Sequence, residues 1–166
     1  MQIPKRKPSK YANQEQDPHI TPAKFSELKR QLEKLKNVSQ PQAIEETKRL
    51  ASLGDFSENA EYQLAKGRLR GINNRMLEIE EYLKRAVIIE SHHNADRVSL
   101  GSTVTVEVNG QHKTYQILGS SETDPSQGII SQSSPLGSAL LGKRLGETVT
   151  VPLAKNMAEY TIVRIE

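Results

Sequence analysis

Asp55 and Glu58 stand three residues apart in the stretch LGDFSENAEYQ, between two long helical patterns. Carboxylates at that spacing admit two kinds of chemistry. At a helix start, Asp55 would accept from backbone N–H groups, and Glu58 would reach back to the cap or favour the positive end of the helix dipole. As metal ligands, the pair would offer hard oxygens to Mg²⁺. That ion wants about six donors, so another protein, a nucleic acid and water would have to complete its shell. The metal role requires a scaffold that carries both acids into a cavity where one ion is already bound.

The flanking elements can supply that scaffold. Thr21-Pro22 reads as an N-cap followed by proline at the first helical position. Phe25, Leu28, Leu32 and Leu35 then recur at steps of three and four, the pattern of an amphipathic helix. Pro41 predicts a kink or a restart, because it lacks a donor and crowds the preceding turn. Ile44, Leu50 and Leu53 continue the apolar face, and Gly54 ends it. Beyond the acids, Ala65, Leu69, Ile72, Met76, Ile79, Leu83 and Ala86 step 4, 3, 4, 3, 4, 3, a sustained heptad seam. Gly67 and Gly71 weaken this second helix by about 1 kcal/mol each, so a partner must hold it. The break between the helices is short, which makes the first helix that partner. The spacing thus predicts an antiparallel coiled-coil hairpin over residues 21–90 with its tip at 54–59. Arms of roughly 30 residues would be about 45 Å long at 1.5 Å per residue.

On either side the chain changes character. Residues 1–20 hold four basic and two acidic side chains and little to bury, the composition of a flexible tail. A basic arm that binds phosphate is the alternative. Residues 91–101 read as a polar linker; its adjacent His92 and His93 lack a third ligand nearby in sequence for a metal. From Ser102 the period becomes two. STVTVEV and QHKTYQIL flank Asn109-Gly110, which suits a type I′ turn. GIIS, TVTVPL and YTIVRI supply further strands, and Ser134-Pro135 opens a short helix that ends at Gly142. The expected class is α+β: the helical hairpin, then a small antiparallel sheet domain over 102–166 with one short helix.

Composition narrows the function. The chain has no cysteine, which excludes disulfides and thiolate metal sites. Its net charge of +3 is mild, with the excess in the N-terminal half. Phe and Tyr together number seven, too few for a base-stacking platform. No apolar run approaches the roughly 20 residues of a membrane span, and no secretory signal opens the chain. A cytoplasmic monomer is expected.

ASLGDFSENAEYQLAKGRLRGINNR closely resembles the tip and second helix of the bacterial transcript cleavage factors GreA and GreB. The wording at the tip is nearer GreB. GIISQSSPLGSALLGKRLGETVTV is similar to that family's FKBP-like domain, and the resemblance spans about residues 20–166. It implies a factor that docks its globular domain on bacterial RNA polymerase and passes its coiled coil down the secondary channel. There Asp55 and Glu58 would help hold a Mg²⁺ ion shared with the polymerase, which then cuts its own backtracked RNA. Such a factor stimulates catalysis and is not itself an enzyme. Carried over in the same way, Asn59 and Tyr62 orient or pack the tip. Lys66 and Arg70 on one flank, and Arg68 and Arg75 on the other, contact the extruded RNA 3′ end or form a solvated face. Ser134, Pro135 and Leu136 match the polymerase-docking loop, although Ser134-Pro135 is also a plain helix start.

The sequence departs from the family at three places. Phe56 lies between the tip acids, Ser133 stands where GreB has an acid, and Gly137-Ser138 replaces the usual Ala-Arg. These changes motivate an alternative from another class, a channel-binding regulator that modulates or inhibits polymerase without cleavage. A prolyl isomerase is disfavoured, because only Tyr115 and Tyr160 supply aromatic rings after residue 101.

Overall fold

The computed structural model describes residues 17–52, 60–90, 96–152 and 157–166. Thr21 caps the first helix as its position predicts: its backbone is extended and its hydroxyl accepts from the Lys24 N–H at 3.2 Å. Helix α1 (Pro22–Lys34) passes through a π-turn (Leu35–Ser39) into helix α2 (Gln40–Ala51). The return arm is helix α3 (Ala60–Arg85). Its heptad seam faces inward, with Ala65 and Ile79 buried and Leu69, Ile72, Met76 and Leu83 half-buried.

The π-turn replaces the kink expected at Pro41. The Gln40 N–H bonds to the Leu35 carbonyl, five residues back. Widening the turn there relieves the crowding that proline imposes on an α-turn. It also shifts the apolar stripe: the first arm's inward positions run Leu28, Leu32, Leu35, Gln40, Ala43, Thr47 and Leu50, with one step of five. Ala43, rather than Ile44, is therefore the buried residue of that turn. Cross-arm bonds mark the register, with Gln40 Nε2 donating to Asn73 Oδ1 at 2.8 Å and Lys36 paired with Glu80.

The helical region is shorter than expected at its base, and the presumed tail is ordered where it meets that base. α3 stops at Arg85, and strand β1 (His19–Ile20) pairs in parallel with strand β2 (Val87–Ile88). Ile20 is fully buried among Leu28, Ile79 and Tyr82. Burying a side chain of this kind contributes about 1.5–3 kcal/mol, enough to anchor the segment before the first helix. The linker is also partly core: Val98 is buried, Leu100 packs against the globular domain, and Val98 exchanges backbone bonds with Lys143 and Gly142. His92 and His93 lie outside the described residues.

The globular half is a five-stranded sheet. Strands β3 (Thr103–Val108) and β4 (Gln111–Leu118) are joined at Asn109 and Gly110, whose φ values of 52° and 72° fit the type I′ turn. Strands β5 (Ile129–Ser131), β6 (Thr148–Pro152) and β7 (Met157–Ile165) complete it in the order β5-β4-β3-β7-β6. The sheet is not wholly antiparallel: β4 and β5 run parallel. The chain between them turns through two 3₁₀ segments, Ser120–Glu122 and Pro125–Gln127, and re-enters in the same direction. One face packs Val104, Val106, Ile117, Val149 and Ile162 against helix α4 (Pro135–Leu140), with Leu140 fully buried. The other face pairs hydroxyls, Thr105 with Thr114 and Thr148 with Thr161.

Candidate functional site

The acids Asp55 and Glu58, together with Asn59, lie outside the described residues. The elements that deliver them do not. α3 begins at Ala60, immediately after the acidic stretch, and runs for 26 residues, about 39 Å at 1.5 Å per residue. Its far end therefore stands a long helix away from the globular half. Tyr62 is half-buried in the first turn.

The four basic residues of α3 divide by their partners. Arg68 reaches across the hairpin to Glu46 at 2.9 Å, and Arg75 pairs with Glu78 on its own helix at 3.2 Å. Lys66 and Arg70 are exposed one turn apart and have no ion-pair partner among the described residues. Among the described residues no group of three or more His, Asp or Glu could hold a metal. No described helix is long and apolar enough to cross a membrane.

In the globular half, Ser134 serves as a helix cap. Its hydroxyl accepts from the Gly137 N–H at 3.0 Å and donates to the Ser131 carbonyl at 2.7 Å. Pro135 is exposed, and Leu136 packs against the core. Gly137 approaches so closely that an added Cβ would lie 2.1 Å from the Ser131 carbonyl oxygen. That contact accounts for glycine there, whatever the loop binds. Tyr160 is buried in the core and Tyr115 packs against it.

A cluster invisible to motif reading joins the two halves. The Asp17 carboxylate accepts from the His19 N–H at 3.1 Å and the Ser120 N–H at 3.1 Å, and Gln132 Nε2 reaches both of its oxygens at 3.0 Å. His19 Nδ1 lies 2.8 Å from the same carboxylate. Burial pushes the Asp17 pKa up, but the bonds from His19, Gln132 and Ser120 outweigh it and hold the group below its usual range. Beside it, Glu122 accepts from both the backbone N–H (2.7 Å) and the hydroxyl of Thr21. Tyr82 and Ser121 bond through their hydroxyls at 2.7 Å. The partners are up to 115 residues apart, so no local spacing could have shown them.

Two family models match the chain, "Transcription elongation factor, N-terminal" over residues 19–88 and "Transcription elongation factor, GreA/GreB, C-term" over residues 92–166. A transcription elongation factor GreA from Macrococcus caseolyticus is 43% identical over 149 residues, covering 88% of this chain and 94% of its own. One from Staphylococcus aureus is 44% identical over 143 residues, covering 85% and 90%. Among solved structures, the GreA factor homolog Gfh1 of Thermus thermophilus aligns over 90% of this chain and 99% of its own, at 28% identity and a TM-score of 0.42. The leaning towards GreB at the tip finds no support in these relatives, which carry the GreA name. It rested on the few residues of the tip, whereas these matches extend along nearly the whole chain. With both halves matched in order and joined as one chain, the protein belongs to the GreA/GreB family of transcription elongation factors.

Proposed function

We propose that this chain stimulates RNA polymerase to cleave its own backtracked transcript, acting through the secondary channel and not as an enzyme in its own right. The observation that carries the reading is a paired-helix arm about 39 Å long that starts directly after Asp55 and Glu58, in a chain matched by both family models. Carboxylate oxygens are the donors Mg²⁺ prefers, and two of them fall short of its shell, so the donor set fits an ion shared with the polymerase. When bound, that ion would lower the pKa of an attacking water and stabilise the leaving oxygen. The chain's own contribution is to place two negative charges and to carry the exposed cations Lys66 and Arg70 along the same arm towards the RNA 3′ end. Exposed Pro135, with Ser134 and Leu136, would meet the polymerase at the other end of the molecule.

Stalled, backtracked elongation complexes provide the test. Asp55→Asn and Glu58→Gln should each slow stimulated cleavage by about 100-fold or more, the range for losing one stabilising group at a reacting centre. They should still compete with wild type for the polymerase. Cleavage at the wild-type rate by both variants would overturn the mechanism. Inhibition of elongation by the wild-type chain, unrelieved by added Mg²⁺, would instead favour a regulator that occupies the channel without cleavage.

A further inference from the structure

The hairpin and the globular half meet through the side chains of Asp17, Thr21 and Tyr82 on one side and Ser120, Ser121, Glu122 and Gln132 on the other. The contact reaches the backbone as well. A Cβ on Gly119 would lie 1.9 Å from the His19 carbonyl oxygen, so the two halves touch without a side chain between them. Asp17 is the hub. Its side chain is only 11% exposed, and both of its oxygens are engaged by donors from the globular half. It also lies before residue 19, where the family match begins.

We infer that Asp17 is a positioning residue: by clasping Ser120 and Gln132, alongside the Thr21–Glu122 bonds, it sets the angle at which the hairpin leaves the globular domain. Leverage gives that angle its importance. Over an arm of about 39 Å, a swing of about 3° moves the far end by about 2 Å. A misplacement of about 1 Å at a reacting centre can cost on the order of 100-fold in rate. Docking by the globular half should be indifferent to the swing, whereas delivery of the tip should not. The catalytic part of this inference rests on the cleavage reading above; the geometric part does not.

The absence of cysteine makes the measurement direct. Exposed positions Glu61, near the start of α3, and Lys113, on β4, are changed to cysteine and spin-labelled, and the distance between labels is read by pulsed electron resonance. The parent should give one narrow distribution. Asp17→Ala should broaden it, and so should Gln132→Leu, which breaks the same clasp from the other side. Asp17→Asn, which keeps an acceptor, should restore much of the narrowness. In backtracked complexes Asp17→Ala should lower the maximal cleavage rate at least fivefold, while the factor concentration giving half-maximal cleavage stays within twofold. Circular dichroism establishes that each variant is folded. A narrow distribution in both Asp17→Ala and Gln132→Leu would overturn the inference, as would an unchanged maximal rate beside a raised half-maximal concentration. If the wild-type chain itself stimulates no cleavage, the cleavage reading fails while the label distances still decide the clasp.

Discussion

At Gly119 a single hydrogen separates tolerance from collision, because a methyl group would meet the His19 carbonyl oxygen at 1.9 Å. Backbone is less able to yield than a side-chain end, so Gly119→Ala should lower the unfolding midpoint by several degrees in a thermal scan. Asp17 adds a dependence on acid. Its folded pKa lies below the ordinary value of 3.8, so its contribution is complete above that value and is lost as pH falls through the folded pKa. Denaturant titrations at descending pH should show wild type losing more stability than Asp17→Asn below about pH 4. On the hairpin flank, Lys66 and Arg70 should behave differently from Arg68. Replacing the first two with alanine should flatten the salt dependence of binding to backtracked complexes by up to about 1.4 in log–log slope, at about 0.7 per phosphate of single-stranded RNA. Arg68→Ala should leave that slope alone and cost about 0.2–1 kcal/mol through loss of its exposed pair with Glu46.

Among the elements, legibility followed the range of the forces. Asn109-Gly110, the Thr21 and Ser134 caps and the seam of α3 were all readable, because each depends on neighbours within a turn or a pleat. The parallel pairing of β5 was not, since nothing local fixes the direction in which a strand returns after an irregular connection. The order at Asp17–Ile20 was missed for a similar reason: Ile20 is buried by residues from both arms at the base of the hairpin, more than 50 residues apart in sequence. The π-turn lay between these cases. Pro41 signalled trouble, and the step of five from Leu35 to Gln40 was available, but an apolar pattern sampled at Ile44 hid it. This element yields a prediction of its own. Deleting Val38 together with Pro41→Ala should produce an unbroken α-helix with the stripe in phase, and a higher unfolding midpoint. Deleting Val38 alone should destabilise the hairpin, because proline would then sit inside an ordinary α-turn at a cost of about 3 kcal/mol.

In the molecule as a whole, the proposed site has three parts: acids that precede the long helix in sequence, cations along that helix's flank, and a clasp at its base. The flank was readable as sequence, and its division into paired and open cations required the cross-arm geometry of Glu46 and Arg68. The roles of Asp55 and Glu58 were suggested by resemblance, since three-residue spacing serves a helix cap equally well. The five-residue step in the first arm has one more effect. A uniform heptad repeat looks the same to its neighbour after sliding by seven residues, so two such arms can zip up out of step. Here the irregularity occurs once in that stripe, and the amide it carries inward, Gln40, is bonded to Asn73. A slide of seven residues would part the two amides and leave Gln40 opposite Lys66 or Glu80. The hairpin is keyed like a lock, and the alignment that pairs these amides is the one that a nascent chain gains by closing on.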